Sequence, residues 1–275
     1  MRVVFLGDIV GRAGRAAMAE HLPRLKDRLK PDAIVVNGEN AAGGFGITER
    51  IAGELFDLGV DAITTGNHAF DQRESLSTFA SEPRLLRPLN YPLGTPGRGE
   101  GLFLLRRGPA EGARLLVVNV MGRVFMEPLD DPFAAVEAAL GACPLKAEAD
   151  FVLVDVHAEA TSEKMAMGHF CDGRASLVVG THSHVPTADA QILPQGTAYQ
   201  TDAGACADYD SVIGMEKDEP LNRFTRKIPG GRFQPAEGPA TLCGIFVESD
   251  EATGLALRAA PIRLGGRLIE ALPEP

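Results

Sequence analysis

Cysteine is scarce in this sequence and never paired. Its four copies, Cys143, Cys171, Cys206 and Cys243, stand far apart with no Cys-x-x-Cys among them, which argues against a disulfide framework and against a thiolate zinc site. Reduced, mostly buried thiols are the expectation. Long apolar runs are missing too, since nothing approaches the ~20 residues that cross a bilayer. The opening Met1-Arg2-Val3-Val4-Phe5-Leu6-Gly7-Asp8 has one basic residue and a short apolar run that ends in an acid, with no small-residue cleavage site after it. It reads as a first strand, and a cytoplasmic protein without membrane attachment is expected. Basic residues are outnumbered, 27 Lys and Arg against 37 Asp and Glu, for a formal net charge of -10. That balance argues against stable coating of nucleic-acid backbones, which needs dense Lys and Arg. A small anionic substrate stays compatible if a local positive site exists. Internal repeats and low-complexity tracts are absent as well.

What is present is ordinary globular material, and 275 residues suit a single α/β domain spanning 1–275 better than two of common size. Arg2–Leu6 is a β-rich run, and Arg12–Leu29 carries apolar residues at helical spacing until Pro31 ends the pattern. Ala33–Asn37 reads as a second buried strand, Ile51–Leu58 as a helix that Thr48 can cap, with Glu49 in its first turn, and Asp61–Thr65 as a third strand. Short apolar strands separated by helices imply parallel pairing under helical cover. Past a stretch crowded with Pro and Gly, Leu102–Arg107 and Arg114–Val120 read as antiparallel strands. Phe151–Val156, Leu177–Gly180, Ala188–Leu193 and Ala198–Thr201 continue as strands, Phe133–Leu140 and Ser162–Phe170 as helices, and Leu242–Glu248 with Ala256–Leu264 as a closing hairpin. Pro229–Pro239 reads as a long loop, either a connection or a cover over a site.

The polar residues fall at revealing places. Asp8 follows the first strand, Glu39 and Asn40 the second, Asn67 and His68 the third, His157 the Phe151–Val156 run, and His182 and His184 the Leu177–Gly180 run. In a parallel sheet these positions share the carboxyl edge, where α/β proteins build sites. Imidazole, carboxamide and carboxylate gathered together form a transition-metal ligand set. Two divalent ions would bring four positive charges against two from Asp8 and Glu39, leaving a cationic spot for phosphate. Each piece alone has an ordinary explanation: Gly7-Asp8 as a capped turn, Glu39-Asn40 as a loop, Asn67 as a left-handed turn residue, His157 as a core histidine. The Gly180-Thr181-His182-Ser183-His184 run is harder to dismiss, because side chains two apart on an extended segment face the same way. His21 and His169 fall on helices outside the pattern. Competing motifs fail on spacing: Ile9 replaces the leading glycine of a dinucleotide loop, no P-loop Gly-Lys-Ser/Thr exists, and Ser183 lacks the glycines of a nucleophile elbow.

The order Gly7-Asp8, Gly38-Glu39-Asn40, Gly66-Asn67-His68, His157 and Gly180-Thr181-His182-Ser183-His184 resembles the calcineurin-like metallophosphoesterases, most closely their bacterial YmdB-type branch. Asp172-Gly173-Arg174, Val185-Pro186-Thr187-Ala188-Asp189, Ile192-Leu193-Pro194 and Tyr209-Asp210-Ser211-Val212-Ile213-Gly214-Met215 extend the likeness nearly end to end. The resemblance implies a four-layer α/β sandwich, two mixed β-sheets packed together and flanked by helices, and a homo-oligomer. It implies hydrolysis of 2′,3′-cyclic or 3′,5′-cyclic nucleotides by a hydroxide bridging two divalent ions ~3.5–4 Å apart. Mapped onto this chain, Asp8, Glu39 and His184 would hold one ion and Glu39, Asn67, His157 and His182 the other. His68 would serve the leaving oxygen. Val10 stands where the wider superfamily has a histidine ligand, so Asn40 or water would fill that place. Fe or Mn is expected first, while the mixed set also accepts Zn, Ni or Co. Two other readings share these residues: a phosphomonoesterase or protein phosphatase, and a regulatory scaffold whose metals are structural.

Overall fold

Strands that are apolar at every position need cover on both faces, and this chain supplies it in layers. In the computed structural model, which describes residues 1–106 and 109–274, β1 (Arg2–Leu6) sends Val3 and Phe5 into one buried layer and Val4 and Leu6 into another. β2 (Ala33–Asn37) repeats the alternation with Ala33 and Val35 against Ile34 and Val36. The first set meets Leu115 and Val117 of β5 (Arg114–Met121), Leu153 of β6 (Phe151–His157) and Val179 of β7 (Leu177–Thr181), which makes the middle of a sandwich. On one outer face α1 (Gly11–Leu29) packs Met18, Leu22 and Leu25 over Val4 and Leu6, with α2 (Glu49–Asp57) beside it. On the other, Val136 of α4 (Pro132–Ala142) and Met167 of α5 (Thr161–Cys171) cover Val118, Val154 and Val178. The order helices, sheet, sheet, helices is the expected four-layer arrangement.

β1, β2 and β3 (Ala62–Thr64) run parallel, and β11 (Ala240–Ser249) joins β1 antiparallel before returning through β12 (Ala256–Leu264). β10 (Ala207–Asp208) pairs with the far end of β11. In the second sheet β5, β6, β7 and β9 (Ala198–Gln200) are parallel, with β4 (Glu100–Leu104) and β8 (Gln191–Ile192) antiparallel at the two edges. Both sheets are therefore mixed. No helix among the described residues is long and apolar enough to cross a membrane.

Local chemistry accounts for the agreements and the differences. Thr48 caps α2 as expected, its hydroxyl accepting from the Ile51 N–H at 3.2 Å, and Asp131 caps α4 by accepting from the Phe133 and Ala134 N–H groups. The strand expected over Ala188–Leu193 shrinks to β8, because the Asp189 carboxylate turns back to take the Thr201 N–H at 3.2 Å and hydroxyl at 2.6 Å. β4 starts two residues earlier than the expected Leu102–Arg107 strand, and Arg107 lies outside the described residues. Pro229–Pro239 is irregular, as expected. Two further helices, α3 (Ser75–Ser81) and α6 (Asp218–Arg226), have no counterpart in the sequence pattern. If the middle layer is the shared core, Leu153→Ala should lower the unfolding free energy by about 2–5 kcal/mol in denaturant titration. Leu257→Ala, at an exposed position, should stay within about 0.5 kcal/mol. Equal costs would contradict the layering.

Candidate metal centre

The parallel strands deliver their polar residues to one edge. Asp8 lies just past β1, Glu39 and Asn40 past β2, Asn67 and His68 past β3, His157 is the last residue of β6, and His182 and His184 follow β7. Backbones approach closely here, which explains two motif glycines. A Cβ on Gly66 would stand 2.1 Å from the His157 ring and 2.3 Å from Glu39 Oε2, and one on Gly7 would sit 1.7 Å from the Gly204 carbonyl oxygen.

Two clusters result. Asp8, Glu39 and His184 form one, and Glu39, His157 and His182 the other, with the ligating atoms of each lying within 4.8 Å of one another. Glu39 belongs to both. His184 Nε2 is 3.1 Å from Asp8 Oδ2, His157 Nε2 is 3.2 Å from Glu39 Oε1 and 2.9 Å from Asn67 Oδ1, and His182 Nδ1 is 3.1 Å from His157 Nε2. The six expected residues Asp8, Glu39, Asn67, His157, His182 and His184 are thus together. Val10 is buried in a small apolar cluster with Ala205 and Ala207 and offers no ligand. Asn40 is buried nearby, its side-chain amide donating to the Gly44 carbonyl at 2.9 Å. His21 and His169 stay on α1 and α5.

Each histidine is fixed through its other ring nitrogen. His184 Nδ1 donates to the Ile213 carbonyl at 2.7 Å, an atom that can only accept, so Nε2 is the nitrogen left facing inward. His182 Nε2 faces the Glu159 carboxylate at 3.2 Å, leaving Nδ1 inward. The Thr181 hydroxyl donates to Asp155 at 2.7 Å and so accepts from His157 Nδ1 at 2.9 Å, which frees Nε2. An inward lone pair backed by an outer acceptor is the usual arrangement of a metal-bound histidine. Glu159, Thr181 and Asp155 carry no signature in the sequence that marks them for this task.

Electrostatics agree with the geometry. Burial works against the Asp8 carboxylate, yet the hydrogen bond and charge of His184 outweigh it and hold Asp8 at about 2. Burial likewise opposes charge on His184, and the same Asp8 contact overrides it and lifts the imidazole to about 9. Glu39 is lowered despite burial, through the charge and hydrogen bond of His157, and His157 is correspondingly raised. His182, partly buried and beside the His157 imidazole, is pushed down to about 3. Protons here occupy places where a cation would serve the same carboxylates. Two further atoms fit that cation: Asp8 Oδ1 and Asn40 Oδ1 are buried with no hydrogen-bond partner, a state that costs about 1–3 kcal/mol per group unless something coordinates it. The donor set, imidazole nitrogen with carboxylate and carboxamide oxygen, suits a divalent transition metal.

The His182-Ser183-His184 segment departs from the expected extended geometry. His182 has φ 90° and His184 φ 64°, so the rings serve different clusters instead of facing the same way. Asp202 holds this turn. Its carboxylate accepts from the Ser183 N–H at 3.1 Å and hydroxyl at 2.7 Å, from the Gly204 N–H at 2.8 Å, and from the Lys164 ammonium at 2.7 Å, with Lys164 wholly buried. His68 stands beside the clusters: its N–H donates to Glu39 Oε2 at 3.2 Å, its Nδ1 is 2.7 Å from Asp71 Oδ2, and its ring meets Phe45 edge-on. With Nδ1 on Asp71, Nε2 is the nitrogen left for the cavity that His68 lines.

Because His184 keeps its proton up to about 9 in the metal-free protein, a bound cation must displace it. Affinity for Mn²⁺ should therefore rise with pH and level off above about 9, with proton release near pH 7. Calorimetric titration in buffers of different ionisation enthalpy reads that release, and pH-independent binding would contradict the Asp8–His184 pairing.

Known proteins share this fold. A family model described as YmdB-like protein matches residues 4–262. A Bacillus subtilis (strain 168) protein named 2′,3′-cyclic-nucleotide 2′-phosphodiesterase is 45% identical over 258 residues, covering 94% of this chain and 95% of its own length. A hypothetical protein of Thermus thermophilus, known from its crystal structure, superposes with a TM-score of 0.88 at 44% identity over 97% of this chain and 100% of its own. A Mycoplasma pneumoniae protein described as a novel phosphatase superposes with a TM-score of 0.87 at 33% identity over 96% of this chain and 93% of its own. The fold is the calcineurin-like sandwich that the motif order implied. With both the match to the family model and these relatives running nearly end to end, the chain belongs to the YmdB-like family.

Proposed function

We propose that this chain is a dinuclear-metal phosphodiesterase that hydrolyses cyclic nucleotides, 2′,3′-cyclic monophosphates first and 3′,5′-cyclic monophosphates as a second class. The observation that carries the reading is Glu39, one carboxylate common to two clusters of inward-facing donors. The name of the Bacillus subtilis relative supports the class of ester. Asp8, Glu39 and His184 would hold one cation, with Asn40 Oδ1 taking the place that Val10 leaves. Glu39, Asn67, His157 and His182 would hold the other. Fe and Mn head the candidates, followed by Zn, Ni and Co. Such ions, when bound, polarise P–O bonds and lower the pKa of water toward ~7.

The remaining work falls to the chain's own groups. With two divalent ions bound, four positive charges against two carboxylates would leave the edge cationic and would draw in an anionic ester although the whole chain carries -10. Asp71 fixes the His68 ring through Nδ1, and Nε2 can hand its proton to the departing O2′. As water adds to phosphorus the P–O2′ bond breaks, O2′ takes the His68 proton, and the proton that the water gives up restores the imidazole. The product is the nucleoside 3′-phosphate.

The metal-loaded protein should turn over 2′,3′-cyclic AMP to 3′-AMP in preference to p-nitrophenyl phosphate, and a preference for the monoester would overturn the diesterase reading. His68→Ala should keep the wild-type metal content by elemental analysis and lose roughly 10²–10⁴-fold in turnover, the usual weight of acid catalysis. Loss of metal in that variant would make His68 a ligand instead.

A further inference from the structure

The cavity beside the clusters has a far wall that the chemistry above leaves unused. About 560 Å³ is lined by His68, His182 and His184 together with Met215, Phe224 and Phe233. That is room for a whole nucleotide, within the ~300–1,000 Å³ common to small-molecule sites, whereas the reacting phosphate needs only the end by the histidines. Phe224, on α6, is 70% exposed, an apolar ring left in water next to a charged centre.

The wall is held in place. Arg223 Nε donates to Glu219 at 2.6 Å, a terminal nitrogen of the same guanidinium donates to the Gly231 carbonyl at 2.8 Å, and its plane lies 4.1 Å over the Phe233 ring. Glu219 also accepts from the Gly230 N–H at 3.1 Å, which ties the loop after α6 back to the helix. Lys227 ends α6 in the left-handed conformation, φ 58°, and lines the same cavity. Two phenylalanine rings and Lys227 therefore line the cavity, with the Arg223 charge paired to Glu219.

Resting on the phosphodiesterase reading, the geometry points to α6 and the segment 227–233 as a nucleoside-binding wall, on which the base of the ester stacks against Phe224 and Phe233 while its phosphate reaches the histidines. Aromatic faces accept any base. The cavity residues of this segment, Pro220, Arg223, Phe224, Lys227 and Phe233, include no side chain that accepts a hydrogen bond, and Arg223 is engaged by Glu219 and Gly231, so the wall reads mainly the area of a base. Purines gain more from it than pyrimidines, and adenine and guanine are scarcely separated, since an apolar pocket discriminates weakly between near-isosteres.

The test compares kcat/KM for 2′,3′-cyclic AMP, GMP and UMP with that for glycerol 1,2-cyclic phosphate, which keeps the five-membered phosphate ring and lacks a base. Phe224→Ala should lower the ratio of nucleotide to glycerol ester about 5- to 100-fold, mainly through KM and most for the purines. Leu221→Ala, on the exposed surface of α6 and not among the cavity residues, should leave the ratio where it was. An equal loss on both esters would overturn the wall, and so would an equal effect of Leu221→Ala with a change in molecular mass, which would make this face a subunit interface. Wild-type protein that cleaves the glycerol ester as well as the nucleotides would sink the wall and keep the phosphodiesterase. Wild-type protein that cleaves none of the four would sink both.

Discussion

Two carboxylates, Asp8 and Glu39, are buried to 1% exposure side by side at one edge of the molecule, and the rest of the structure is arranged to tolerate them. An ionised carboxylate taken from water costs several kcal/mol unless charge and hydrogen bonds replace the water. Asp8 receives the His184 imidazole and the His182 N–H at 3.0 Å, and Glu39 receives the His157 imidazole and the His68 N–H. Three of those four partners come from strands of the second sheet or the turn after them, whereas both carboxylates come from the first. The site therefore exists only while the two sheets are packed in register. A buried polar seam reinforces that register: Asn37 and Thr64 of the first sheet donate to Asp155 of the second at 3.2 and 2.5 Å. Burial raises Asp155 to about 7 against the hydrogen bonds of Thr64 and Thr181.

Rigidity comes from residues outside the two clusters. Left-handed backbone at a non-glycine residue costs about 1–2 kcal/mol, and the turn after β7 has it at both His182 and His184. Asp202 offsets this with its hydrogen bonds to Ser183 and Gly204, and Lys164 balances the Asp202 charge in the interior. Outer acceptors then set which nitrogen of each histidine faces the centre. The clusters are thus shaped in advance, while the apolar side of the cavity is left to α6 and the loop after it, outside both sheets.

The sandwich is legible in the sequence because its strands are apolar on both faces, as in Val3–Leu6 and Val152–Val154, and because Asp8, Glu39, Asn67, His157 and His182 recur at one topological position. The glycines beside them mark real close approaches. Elsewhere the signal is weak for identifiable reasons. α6 reads Asp-Glu-Pro-Leu-Asn-Arg-Phe-Thr-Arg, with an internal proline and few apolar residues, so periodicity does not announce it. β10 is two residues long and held by its pairing with β11. Glu159, Asp71 and Asp202 are common acids whose roles depend on partners distant in sequence or on ring orientation. The two histidines after β7 reach the edge that their position implies, but on a left-handed backbone instead of an extended one, since nothing local signals a turn whose stabilising carboxylate is nearly twenty residues away.

The proposed function turns on one side chain, Glu39, which belongs to both clusters and would stand between two cations. The direct measurement is crystallographic anomalous scattering on protein whose metal content is known from elemental analysis. Two cation peaks are predicted, both within coordinating distance of Glu39, one also beside Asp8 and His184 and the other beside His157 and His182. A single peak, or two peaks that do not share Glu39, would contradict it.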